Sequence, residues 1–163
     1  MESFVDRSLK NLGIETIDLL QMHCPPTEVY SHDSTYEMLD YLVSKGKIQH
    51  YGFSVQTVEV AIACIQRPHT KSVQIIFNML RLKPAEEFFN LAKDKGVAII
   101  VRVPLASGLL TGKMNSNSTF PENDHRNYNI NGDAFDVWET FSGVDFNTAL
   151  KVVDELKYIT TEV

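Results

Sequence analysis

Two cysteines in 163 residues, Cys24 and Cys64, are too few for a disulfide framework. Each sits in or beside an apolar segment, where a small buried thiol is the ordinary outcome, so neither a disulfide nor a metal site is expected. Basic residues are also scarce. Fifteen Lys and Arg against 21 Asp and Glu give a net charge of −6, and the bases are scattered, which argues against nucleic acid as a partner. No apolar run approaches the roughly 20 residues that span a bilayer, so no membrane role is expected. The opening Met1-Glu-Ser-Phe-Val-Asp6 lacks the basic start and apolar stretch of a signal peptide, and a cytoplasmic location is expected. Two phosphate-binding signatures are missing as well. No strand-like segment is followed by G-x-G-x-x-G. In Pro104-Leu-Ala-Ser-Gly-Leu-Leu-Thr-Gly-Lys113 three residues separate Gly108 from Gly112, where a Walker A motif needs four, and Met114 follows in place of a hydroxyl residue.

What is present is a hydrophobic content of 44%, enough for a sizeable core. Four apolar, β-branched segments read as strands: 16–23 (TIDLLQMH), 48–54 (IQHYGFS), 72–78 (SVQIIFN) and 97–103 (VAIIVRV). Near-continuous hydrophobicity is the pattern of parallel strands covered on both faces. Helical patterns lie between them. One runs from Thr35 to Lys45 with Ser34 and Glu37 as a capping box, Met38, Leu39, Leu42 and Val43 on its inner face and Gly46 at its stop. A second, Thr57 to Gln66, presents Val58, Ala61, Ile62 and Ile65 before Pro68 forbids continuation. A third has Pro84 in its first turn, buries Ala85, Phe88, Phe89 and Ala92, and ends at Gly96.

The alternation of helix and strand predicts an α/β fold: an incomplete TIM (β/α)8 barrel, about half of the barrel, with four parallel strands, since the closed architecture takes about 250 residues. The expected organisation is a single partial barrel domain over 1–163. It contains a long active-site loop at 104–144 and a C-terminal helix at 145–163 with Asp145 as its N-cap. A small doubly wound sheet is the other architecture these elements allow, but it lacks its glycine-rich turn. Phe120, Tyr128, Phe135, Trp138 and Phe141 in the long loop read either as a cover over substrate or as packing anchors.

In a parallel sheet all carboxyl ends lie on one rim, where β/α barrels build their sites. The strand ends here carry His23, Ser54, Gln74 with Asn78 beyond it, and Arg102. His23 has the alternative of a hydrogen-bonded strand-end histidine, and Ser54 that of a helix cap. Gln74 in an apolar strand must find hydrogen-bond partners, and Arg102 needs an anion, carbonyls or an aromatic plane. After them the small-residue loop with Ser107, Gly108, Thr111 and Lys113 offers backbone N–H groups and an ammonium to a diphosphate.

With these segments in hand, the chain resembles the aldo-keto reductase family. SLKNLGIETIDLLQMHCP is similar to the family's approach to its fourth strand, MLDYLVSKGKIQHYGFS to the next helix and fifth strand, VQIIFNML to the sixth, and VAIIVRVPLASGLLTGK to the seventh with its diphosphate loop. The resemblance implies a (β/α)8 barrel that reduces aldehydes or ketones with NADP(H), NAD(H) being the alternative cofactor. By the same resemblance His23 is the histidine of the catalytic tetrad, orienting a small-molecule carbonyl substrate. Ser54 and Gln74 bind the nicotinamide carboxamide, and Leu105, Ser107, Gly108 and Lys113 line the diphosphate. Arg102 stands where the family commonly stacks an aromatic ring, so its flat guanidinium stacks or reaches the phosphates. Val55 follows Ser54 where the family usually has Asn.

The family's catalytic Asp, Tyr and Lys precede the segment with which this chain begins, and Tyr is the proton donor. The expectation is therefore a fragment of a reductase, inactive by itself. A non-catalytic interaction or regulatory subunit on the same scaffold is the alternative, because the β subunits of potassium channels resemble these reductases. Exposed strand edges of a half-barrel point to self-association.

Overall fold

The computed structural model describes residues 1–161. One sheet of four parallel strands carries the fold, in the order β1 (Ile17–His23), β2 (Ile48–Ser54), β3 (Thr70–Ile76) and β4 (Ala98–Arg102). Sequential neighbours in a parallel sheet require crossovers, and helices supply them. The α/β, partial-barrel expectation therefore holds. Backbone contacts divide the chain into two compact units, one formed by 1–75 and 83–100, the other by 76–82 and 101–163.

In the first unit, α1 (Glu2–Leu12) ends at Gly13, which takes the left-handed φ of 67° that closes the helix onto Leu9. Lys47 ties that helix to the start of β2 through Glu2 at 2.7 Å and Asp6 at 2.6 Å. α2 (Asp33–Ser44) begins two residues earlier than the expected Thr35. The Ser34 and Glu37 capping box does not form, because His32 occupies the N-cap and makes no side-chain bond there. The inner face is Tyr36, Leu39 and Leu42; Val43 is 37% exposed, since a 3.6-residue period turns it away once Tyr36 is part of the stripe. α3 (Val58–Cys64) is capped by Thr57, whose hydroxyl accepts from Val60 N. The expected third helix is divided into α4 (Lys83–Glu87) and α5 (Phe89–Asp94) at Phe88, whose φ of −111° is distorted within the helical region and whose ring is fully buried.

Tyr51 and Phe53 of β2 and Val73 and Ile75 of β3 face these helices and are fully buried with Leu39, Leu42, Ala61 and Phe88. Burying a ring such as Phe53 stabilises by roughly 2 to 3 kcal/mol. Burial raises the Cys64 thiol to about 12 and pushes the Tyr36 and Tyr51 phenols above their usual range. Neither Cys24 nor Cys64 is joined in a disulfide.

The second unit begins where β3 ends at Ile76, two residues short of the expected Asn78, which instead closes a tight turn with Arg81. The stretch 104–144 carries local order of its own: 3₁₀ turns at Leu109–Thr111 and Val137–Glu139, and α6 (His125–Tyr128). α7 (Phe146–Thr161) follows, and the Asp145 carboxylate accepts from Thr148 N at 2.8 Å, as an N-cap does. Residues 162–163 of the expected helix lie outside the described residues. Phe120, Phe141 and Phe146 form a three-ring cluster at 5.0 to 6.1 Å that packs with Ala106, Leu109, Ala149 and Val153. Phe120 and Phe141 are thus packing anchors.

Candidate functional site

Strand periodicity sends every second side chain of β1, β2 and β3 away from the helices, and towards the carboxyl ends that face carries Gln21 and His23, Ser54, and Ser72 and Gln74. The register pairs His23 with Ser54 and Ser54 with Gln74, and one step earlier Gln21 with Gly52 and Gly52 with Ser72. Two rows result, His23–Ser54–Gln74 at the strand ends and Gln21–Gly52–Ser72 beneath it.

The upper row is linked by hydrogen bonds. Ser54 Oγ, fully buried, donates to Gln74 Oε1 at 3.2 Å and lies 3.4 Å from Cys24 Sγ. Accepting from Ser54 fixes the orientation of the Gln74 amide. The Ser54 backbone is held as firmly: its carbonyl accepts from Tyr30 Oη at 2.7 Å and from Cys24 N at 3.1 Å. His23 is exposed, and its imidazole is not tied down by any hydrogen bond to the described residues. A hydroxyl and an amide beside an accessible imidazole can hold a group that both donates and accepts, and can polarise a carbonyl next to it.

The lower row exists because β2 has no side chain at position 52. Gln21 Nε2 donates to Ser72 Oγ at 2.6 Å across Gly52, and a Cβ there would lie 2.0 Å from Ser72 Oγ and 2.9 Å from Gln21 Nε2. Gln21 Oε1 is buried and has no partner among the described residues. Sequence reasoning missed this row, although Gln21, Gly52 and Ser72 each stand two residues before a recognised candidate, which is the strand period.

The second unit holds Arg102, Leu105, Ser107, Gly108 and Lys113. After β4 the backbone turns through left-handed conformations at Val103 (φ 53°), Ala106 (47°), Ser107 (57°) and Gly108 (91°). Three of these four lack glycine's freedom, and such strain persists only where surrounding contacts over-determine it. The contacts are identifiable. Asn78 Nδ2 donates to the Val103 carbonyl at 2.9 Å and to Ser142 Oγ at 2.7 Å. Ser107 Oγ donates to the Glu139 carbonyl at 2.9 Å and accepts from Phe141 N at 3.2 Å.

Leu105, Ser107 and Gly108 line a cavity of about 420 Å³ together with His125, Phe135 and Glu139. The Arg102 guanidinium is paired with the Glu139 carboxylate. Its partner is thus an anion supplied 37 residues further along the chain, which no local signal announces. Beside the cavity, Arg126 bonds Asp124 through side chain and backbone and holds that carboxyl well below the usual carboxylate range. Lys113 does not line this cavity. It borders a separate cleft of about 570 Å³ with Lys151, Asp154 and Lys157 of α7.

The Aldo/keto reductase family model matches residues 1–162. Among curated proteins, the aldo-keto reductase YhdN of Bacillus subtilis is 34% identical over 127 residues, covering 76% of this chain and 37% of that protein. The Schizosaccharomyces pombe aldo-keto reductase yakc, whose name carries NADP(+), is 30% identical over 136 residues, 77% of this chain and 38% of that protein. The solved glycerol dehydrogenase of Gluconobacter oxydans superposes with a TM-score of 0.73 at 26% identity, covering 99% of this chain and 46% of that one. The chain therefore spans less than half the length of these relatives.

Proposed function

The chain belongs to the aldo-keto reductase family, and from that premise we propose that it is the part of an NADP(H)-dependent carbonyl reductase that grips the cofactor and orients the carbonyl. The observation that carries this is the Ser54–Gln74 hydrogen bond at the ends of adjacent parallel strands, beside His23. A carboxamide needs one acceptor for its N–H and one donor for its oxygen. The Ser54 hydroxyl and the Gln74 amide together offer both, so the donor set fits a nicotinamide. A nicotinamide bound there supplies the hydride. The NADP(+) in the name of the S. pombe relative supports the phosphorylated form of the cofactor.

His23, accessible at the end of β1, would donate a hydrogen bond to the substrate oxygen and favour the charge that develops there. Leu105, Ser107 and Gly108 would receive the diphosphate, with Ser107 held in place from both sides by Glu139 and Phe141. Lys113 and its lysine neighbours Lys151 and Lys157 would lend positive charge to a more distal phosphate. Our reading is that the 163 residues by themselves bind the dinucleotide without turning over a carbonyl, the proton donor lying outside them.

Fluorescence titration with NADPH, followed by carbonyl-dependent NADPH oxidation, tests both halves. Saturable binding weakened by Ser54→Ala supports the cofactor assignment. Absence of any NADPH binding refutes it. Turnover by the chain alone refutes the inactive-fragment reading.

A further inference from the structure

Glu139 is the anionic partner of Arg102. Its carboxylate pairs with that guanidinium, the two side chains being only 22% and 14% exposed, and the same residue lines the cavity with Leu105, Ser107 and Gly108. A shielded pair of this kind is stronger than a surface pair, because water screens it less. A phosphate entering the cavity meets the Glu139 carboxylate at the wall, and Arg102, the cation that this carboxylate holds, is already neutralised.

The backbone around Glu139 is fixed. Its carbonyl accepts from Ser107 Oγ, and Thr140, Phe141 and Ser142 that follow are 1% exposed. Asn129 Nδ2 donates to Thr140 Oγ1 at 3.1 Å, Asn78 Nδ2 donates to Ser142 Oγ, and Arg81 lies 4.3 Å over the Trp138 ring. With both flanks anchored, release of Arg102 requires rotation of one side chain and no opening of the segment.

We propose that Glu139 is a built-in stand-in for the ligand's phosphate: its carboxylate holds Arg102 until a phosphate-bearing dinucleotide displaces it. This rests on the reading of the Leu105–Gly108 cavity as the diphosphate site. Apparent affinity is then the intrinsic affinity multiplied by the fraction of molecules in which Glu139 has swung away. Removing the carboxylate's charge raises that fraction towards unity, so the device limits how tightly and how fast the cofactor binds.

The experiment is stopped-flow and equilibrium NADPH fluorescence on the full chain and on Glu139→Gln, Glu139→Ala and Glu139→Asp, with inorganic pyrophosphate as a second probe and circular dichroism to confirm folding. The expected result is at least about fivefold tighter binding for Gln and Ala, expressed mainly as faster association, with Asp restoring the slow behaviour. A role confined to packing would not be reversed by Asp and would not move pyrophosphate and NADPH together. Binding that is unchanged or weaker in every folded neutral variant overturns the proposal. If NADPH binds none of the proteins, the cofactor reading falls and pyrophosphate alone decides: tighter pyrophosphate binding in Glu139→Gln sustains the stand-in, and equal binding overturns it.

Discussion

Gly52 and Ser72 approach so closely across neighbouring strands that no β carbon fits between them: one placed on Gly52 would stand 2.4 Å from the Ser72 carbonyl oxygen and 2.0 Å from its hydroxyl. Backbone cannot yield as a flexible side chain does. Gly52→Ala is expected to destabilise by about 1 to 3 kcal/mol, as overpacking of a tight interior does. Urea unfolding would show it as a lower midpoint at unchanged slope, and an unchanged midpoint would contradict the geometry.

Ser54→Ala removes the hydroxyl that orients Gln74 while leaving the Tyr30 and Cys24 bonds to the Ser54 backbone intact. The expected outcome is a loss of about tenfold in NADPH affinity, the worth of one well-placed hydrogen bond of about 1.4 kcal/mol, with little change in melting temperature. Equal losses of affinity and fold stability would show that Ser54 serves packing instead.

The buried ionisable groups set an alkaline limit. Cys64 is raised from 9.0 to about 12 by burial, and Tyr36 and Tyr51 are raised above 10.0 by the same cause. Folding keeps these protons where the unfolded chain releases them, so the unfolded state binds fewer protons above pH 9 and stability falls there. The contribution is complete below pH 9 and is lost as pH climbs towards 12. Absorbance titration of the six tyrosines at 295 nm should show at least two ionising only as the protein unfolds. Smooth ionisation of all six ahead of unfolding would be inconsistent with this.

Much of this architecture was legible in the sequence, and the reason differs by element. β2 begins and ends at Ile48 and Ser54 as its composition predicts, because Ile48, Tyr51 and Phe53 lie between the Gly46 helix stop and the Thr57 helix cap. β3 is displaced to Thr70–Ile76, since Phe77 prolongs the apolar run in the sequence while Asn78 is claimed by a turn with Arg81. The long helix expected after Pro84 is divided by a local distortion at the buried Phe88, where φ reaches −111°, and no residue type there announces it. At the candidate site the strand-end residues announce themselves as polar groups in apolar runs. Glu139 does not: an exposed-looking acidic residue in a loop acquires its meaning only when folding brings it to Arg102.

Asn129 is fully buried and organises the stretch before the Glu139 turn. Its side chain donates to Thr140 Oγ1 and accepts from Ala134 N and Phe135 N, both at 2.9 Å. Asn129→Ala would strand two backbone donors and is expected to cost about 2 to 4 kcal/mol. Hydrogen exchange should then accelerate at Ala134 and Phe135 first. Protection there equal to that of the unaltered chain would count against this role.

The sheet has β1 at one edge and β4 at the other, and among the described residues each edge presents backbone groups without a strand partner beyond it. Concentration-dependent association is expected in sedimentation experiments on the 163-residue chain. A single monomeric species across a hundredfold range of concentration would count against it.

The alternation along β1 to β3 separates two kinds of duty within the same seven-residue stretches. Odd positions of β3 such as Val73 and Ile75 grip the helical shell, whereas its even positions Ser72 and Gln74 carry the polar rows. A library that randomises only the polar-row positions, odd in β1 and even in β2 and β3, therefore spares the helix-facing core, provided position 52 is kept as glycine.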